Sequence, residues 1–209
     1  MDPVYPEFAD EIKAMNQAWG LQVNVSPKDL GVQRFHDFRY TFFKELSELD
    51  AIPQEMESIE AKIARADWLC DLYIYLASEA LKWGQPFKVP QGTPASGFTK
   101  AEWRDLNDFQ VICLGLFDEE TKILFDKDTK LFALKDVSKL MPIIGMIHDL
   151  AGAAALPFSN CLKAVMESNR TKLGADGKPI YDQYGKVEKG PNYQPPEPML
   201  KAIIEASEA

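Results

Sequence analysis

At 209 residues, with 46% apolar and 26% charged side chains, the chain suits one domain with a real core and an ordinary soluble surface. Its formal charge of −9 argues against a partner that is polymeric nucleic acid, which calls for a basic face, but leaves room for a small phosphorylated ligand held by local cations and a metal. Cys70, Cys113 and Cys161 are odd in number and widely spaced, so they read as reduced core thiols; no basic-then-apolar leader opens the chain and no apolar run approaches the ~20 residues of a membrane span. The expectation is a soluble, cytoplasmic protein with no membrane partner.

The elements follow in chain order. Phe8, Ile12, Met15 and Trp19 recur at helical spacing and predict a first helix over 7–20, stopped by Gly20. After Ser26-Pro27 a second helix is expected over 29–52, with Phe35, Phe38, Phe42, Leu46 and Leu49 as its apolar stripe and Pro53 as its end. A third helix is expected over 54–83, closing at Gly84; its second half is apolar nearly all round, as suits the centre of a bundle. Residues 85–100, rich in proline and glycine, read as a loop, Glu102 to Leu116 as a further helix, and Asp118 to Lys130 shows no clear period. Pro142 opens an apolar segment that Pro157 interrupts before a strong helix to Arg170. Beyond it, Lys178–Tyr181 and Lys186–Lys189 suggest a hairpin, and Pro198 to Ala206 a last short helix. The fold class expected is all-α, a helical bundle.

The chemistry is carried by acids. Asp71 stands inside Trp68-Leu69-Cys70-Asp71-Leu72-Tyr73-Ile74-Tyr75-Leu76-Ala77, where an ionised carboxylate is costly unless a cation or strong donors meet it. Asp67 lies one turn before it, and on a helical wheel Glu60, Asp67, Asp71 and Ser78 form a polar line directed into or along the core. On the preceding helix Glu45 and Glu48, three apart, share one side at the edge of the apolar stripe. Two carboxylates from each of two facing helices suit one or two Mg²⁺ ions (or Mn²⁺), with positions left for water and phosphate oxygens. Such a metal offsets phosphate charge and helps generate a hydroxide for in-line attack. The blander alternative for Glu45 and Glu48 is a solvated helix surface, and for Asp71 a salt bridge from elsewhere in the chain. Trp68, among the acids, suits either base stacking or core packing. His36 fits a surface role, and His148-Asp149 point apart on a helix.

Glu45-x-x-Glu48, an eighteen-residue gap, and an acidic pair at the start of an apolar helix resemble the all-α NTP pyrophosphohydrolases, the superfamily of MazG-like enzymes, dimeric dUTPases and phosphoribosyl-ATP pyrophosphohydrolases. The usual signature is ExxE followed by ExxD. Here Trp68, not glutamate, stands three before Asp71, so Asp67 is the acid able to stand in. Ser168-Asn169-Arg170-Thr171-Lys172, running on through Gly174-Ala175-Asp176-Gly177-Lys178 to Gly190-Pro191-Asn192-Tyr193, is similar to the C-terminal segment of a MazG-like branch. The resemblance spans about 30–84 and 157–198. It implies one domain over 1–209, with a core at about 7–84 and 141–172, an insertion at about 85–140 and a lid or tail at 173–209.

The resemblance also implies an activity: hydrolysis of a (d)NTP to (d)NMP and pyrophosphate, dependent on Mg²⁺. Glu45, Glu48 and Asp71 would be catalytic, with Asp67 completing the metal set. Asn169 would contact sugar or base and Lys172 the phosphates; Trp68 as a substrate contact comes from its aromatic face among the acids, not from the resemblance. It further implies a homodimer or dimer of dimers. The lysines at 172, 178, 186 and 189 gather positive charge in an otherwise acidic chain, in keeping with a phosphate-bearing ligand. Two alternatives accompany this reading. One is a base-specific dUTPase or dCTPase; the other is a degenerate member that binds nucleotide or a protein without turnover.

Overall fold

The computed structural model describes residues 6–26, 28, 30–84, 102–118 and 140–209. Among these residues it is all-α: α1 (Pro6–Ala18), α2 (Val32–Ser47) with a 3-10 turn (Glu48–Ala51), α3 (Ile59–Lys82), α4 (Trp103–Asp118), α5 (Leu140–Ala153), α6 (Phe158–Arg170) and α7 (Glu197–Glu208). The expected loop at 85–100 and the aperiodic stretch 119–130 lie outside the described residues.

α3 is the axle. Its 24 residues bury fifteen side chains on every side, and α1, α2, α5, α6 and α7 all pack against it. Such all-round burial is what its apolar second half dictates. The helix is shorter than the expected 54–83, because Ser58 is spent as its N-cap, accepting from the Ala61 amide at 3.2 Å. The Glu55 carboxylate takes the amides of Glu57 and Ser58 at 2.8 and 3.0 Å, holding those residues in a loop. α1 lays Phe8, Ile12, Met15 and Trp19 onto the core. It ends in a Schellman closure, with Leu21 N–H on the Asn16 carbonyl and Gly20 N–H on that of Gln17; Gly20 supplies the positive φ of 67° that this closure requires.

α2 also differs from its expected span of 29–52. It begins after Gly31 and gives way to the 3-10 turn at Glu48, so Glu45 and Glu48 no longer belong to one regular helix. Phe38 stacks on Phe42 and Tyr75 at centroid distances of 5.8 and 6.0 Å, fixing α2 against α3. The described part of the expected insertion is α4, which buries Leu106, Phe109 and Cys113 in the common core rather than standing apart. α5 and α6 are bent by 117° at their junction; among the described residues no single helix is long and apolar enough to cross a membrane.

The segment 171–196 returns across α1, α2 and α3 as a strap. The expected hairpin reduces to one antiparallel bridge, Tyr181 with Val187, flanked by Asp182 N–H on the Lys186 carbonyl (2.9 Å) and Glu188 N–H on that of Ile180 (2.8 Å). Pro179 has no N–H to extend the ladder. The base of the strap is tied by Ser168 Oγ to the Gln194 carbonyl at 2.6 Å and Gln194 N–H to Thr171 Oγ1 at 2.9 Å. At Gly190 the strap crosses the Leu173 backbone so closely that a Cβ would overlap that carbonyl. Gly190→Ala is therefore expected to lift the strap at a cost of about 1–3 kcal/mol. The measurement is faster tryptic cleavage at Lys186 and Lys189 with helical circular dichroism unchanged; equal cleavage would contradict it.

Candidate functional site

Under the strap lies a cleft of about 630 Å³ including its open mouth. Along α3 its floor is Asp71, Ile74, Tyr75, Ser78, Glu79 and Lys82, a run of i, i+3 and i+4 positions that forms one helix face. Glu45, Thr41 and Arg34 enter from α2, Asn169 and Lys172 from the end of α6, and Tyr184 to Val187 from the strap. Four of the sequence-derived residues, Glu45, Asp71, Asn169 and Lys172, thus meet in one place.

The lining holds four cationic side chains, Arg34, Lys82, Lys172 and Lys186, and three acidic ones, Glu45, Asp71 and Glu79. In a chain of charge −9 this is a local reversal of sign. Glu45 is 3% exposed and its carboxylate accepts from Lys186 Nζ. Burial pushes the Glu45 carboxyl up; the Lys186 ammonium opposes this, and Glu48 and Asp71 add to it, leaving Glu45 above the usual carboxylate range. For Lys186 burial works downward, but Glu45, Asp71 and Glu48 outweigh it and the ammonium lies above its ordinary value. Lys172 ends below its ordinary value, because burial outweighs Asp71 and Glu45. Its ammonium has no carboxylate within ion-pair reach among the described residues and lies 5.9 Å from the Tyr193 ring centroid. Asn169, 4% exposed, makes no side-chain hydrogen bond among the described residues, so its donors and acceptor are open to a ligand. Asp71 is half-buried and makes no ion pair among them either.

Glu48 and Asp67 fall elsewhere. Glu48 is exposed on the 3-10 turn, and with Asp67, Glu60 and Glu197 it lines an adjoining groove. The polar line on α3 does run along the core, but in two parts, Asp71 and Ser78 in the cleft and Glu60 and Asp67 in the groove. Asp67 Oδ1 is buried without a hydrogen-bond partner. Burial first, then Asp71 and Glu197, raise Asp67 to about 7 against the pull of Lys172 and Lys189. An acid raised on folding binds its proton more tightly when folded, so its contribution is full below its unfolded value and is lost as pH rises toward about 7. In EDTA, urea midpoints should therefore fall from pH 5 to pH 8 in the wild type, with Asp67→Asn showing a flatter profile and a relative gain at pH 8. Parallel profiles would refute this assignment.

Trp68 lies outside the cleft lining, in the adjoining groove with Glu48 and Asp67. It is 4% exposed, its indole N–H donates to the Glu45 carbonyl at 2.9 Å, and its ring meets Phe109 edge-on at 6.0 Å. Its ring is committed to packing, and its polar edge braces the backbone that carries Glu45. His36 lies in a shallow groove with Asp37, Tyr40 and Tyr184, outside the cleft lining.

Sequence reasoning missed the other end of the cleft. Glu79 is fully buried; Arg34 from α2 and Lys82 from α3 both donate to its Oε1, Lys82 at 2.6 Å, while Oε2 has no partner. The signal that singled out Asp71, an acid in an apolar helical run, was present for Glu79 too. Behind it, Ser78 Oγ donates to Asn16 Oδ1 at 2.7 Å and ties α1 to α3.

Among the described residues the acids at this end, Glu45 and Asp71 in the cleft with the orphaned Asp67 Oδ1 one turn away, offer carboxylate oxygens, and that chemistry fits a hard divalent cation. Among the described residues no group of three or more His, Cys, Asp or Glu side chains stands ready to hold a metal unaided. A Mg²⁺ here would take Glu45 and Asp71 together with water and ligand oxygens, the usual mixture for that ion. Comparison of the chain with family models, curated proteins and solved structures finds no match.

Proposed function

We propose that the chain is a Mg²⁺-dependent nucleoside triphosphate pyrophosphohydrolase, converting a (d)NTP and water to (d)NMP and pyrophosphate. The observation that carries this reading is the convergence of Glu45, Asp71, Asn169 and Lys172 on one cleft lined by four cations. Carboxylates beside cations suit a metal-bound polyphosphate: the amines meet phosphate oxygens and the acids meet the metal. When bound, Mg²⁺ would neutralise phosphate charge and lower the pKa of a bound water. Lys172, part-buried and without an acidic partner among the described residues, gains most from an anionic ligand. Asn169 orients a hydroxyl or phosphate oxygen, and the strap, with Tyr184 to Val187 over the cleft, limits water around the anhydride. Asp71 and Glu45 hold the acidic end. The resemblance adds a homodimer or dimer of dimers, which light scattering would measure.

The test is to incubate the protein with each dNTP and NTP, with Mg²⁺ or with EDTA, and to assay pyrophosphate. Release from at least one nucleotide, abolished by EDTA, is expected; preference for dUTP or dCTP would define the narrower enzyme. Release from none overturns the enzymatic reading. A binding-only protein is favoured by one observation, that Glu48 and Asp67 face the adjoining groove rather than the cleft. Nucleotide binding by calorimetry without pyrophosphate release would establish it.

A further inference from the structure

The ammonium of Lys186 rests on Glu45, the buried carboxylate of the acidic end. The strap that carries it is anchored independently of that contact. Lys186 N–H donates to Asp182 Oδ1 at 2.8 Å, and its carbonyl accepts from Asp182 N–H at 2.9 Å. Tyr184 stacks on Tyr40 at a centroid distance of 4.0 Å, its carbonyl accepts from Arg34 at 3.5 Å, Tyr181 donates to the Trp19 carbonyl, and Val187 is buried. With the backbone pinned, the four-carbon stem is free to swing while the strap stays in place. A lysine is suited to this, being a compact charge with rotatable donors on a flexible stem.

A carboxylate as buried as Glu45 needs a positive partner, and here Lys186 and a divalent cation would approach the same oxygens. We infer that Lys186 is a positioning residue that holds Glu45 while the cleft has no divalent cation and yields it to Mg²⁺, moving on to the phosphates. This rests on the proposed function in one respect, that Glu45 is a metal ligand. The consequence is a competition: in the absence of nucleotide, Lys186 weakens metal binding. With a nucleotide present the phosphates offer the ammonium another partner, and the competition is relieved.

The experiment measures Mn²⁺ binding by electron paramagnetic resonance, with no nucleotide present, in the wild type and in Lys186→Met, Lys186→Gln and Lys186→Arg, and in Lys186→Met combined with Glu45→Gln. Circular dichroism checks folding, and the Gln variant serves if the Met variant does not fold. Loss of the charge should tighten Mn²⁺ binding by about tenfold or more, the scale set by close buried charge pairs. Lys186→Arg should bind as weakly as the wild type, and the added Glu45→Gln should remove the gain. A lysine acting as a structural tie alone would not produce that charge dependence. Equal or weaker Mn²⁺ binding in the neutral variants overturns the inference, as does Mn²⁺ binding by none of the proteins. Failure of the catalytic reading is seen separately, as no pyrophosphate from any nucleotide.

Discussion

On the proposed pyrophosphohydrolase reading, Asp71→Ala should lower Mg²⁺-dependent pyrophosphate release by about 10²–10³-fold, the loss typical of removing one group that stabilises developing charge, while leaving the fold intact. Asp71 is half-buried on the cleft floor, with Lys172 and Lys186 acting on it and Glu45 close enough to be raised by it. Its negative charge also raises Asp67. Deleting Asp71 relieves both repulsions and gives up its attraction to two lysines with which it makes no ion pair among the described residues, so the urea midpoint should hold as activity falls. That divergence separates a functional acid from a structural one, whose removal would lower both. Activity within a few-fold of wild type would take Asp71 out of the site. A parallel pair locates the fourth acid: loss of activity in Asp67→Ala but not in Trp68→Phe would show that the acid one turn back reaches the metal across the groove.

The largest stability effect is expected at the opposite end of the cleft. Glu79→Ala should destabilise the protein by about 3–5 kcal/mol, the scale for breaking a buried ion pair from one side. Glu79 is fully buried and holds both Arg34 and Lys82. Arg34, with its side chain 22% exposed, can turn toward water, but Lys82, 7% exposed, is left as a buried charge without its partner. Adding Lys82→Met to Glu79→Ala should recover much of the loss, since an apolar side chain fills that site without a charge to desolvate. Urea unfolding of the single and double variants measures this. A loss below about 1 kcal/mol for Glu79→Ala would place the network among weak surface pairs.

The two ends of the cleft also differ in how their charges are paired. At the Glu79 end, two cations share one carboxylate oxygen and link α2 to α3, which suits structure. At the Glu45 end, one tethered lysine covers an acid while Asp71, Lys172 and Asn169 stay without strong partners among the described residues. Groups left unsatisfied in a buried cleft are where a ligand gains most, because its contacts replace nothing already made.

The chain by itself determined the all-α class and the position of nearly every described helix. Periodic apolar positions such as Phe35, Phe38 and Phe42 bury one face whatever that face meets, and Gly20 and Gly84 end helices through their own backbone preference. It marked Asp71 as an acid needing a partner for the same local reason. Helix ends were misjudged where side chains were recruited to caps, as at Ser58, or where the turn tightened, as at Glu48. Only the tertiary structure decided how the acids divide between a cleft and a groove, that Trp68 is spent on packing, and that Lys186 reaches Glu45 across 141 residues of sequence. Those outcomes depend on how each helix is rotated about its axis and where the strap crosses. Both are set by packing between distant segments, which no local spacing encodes.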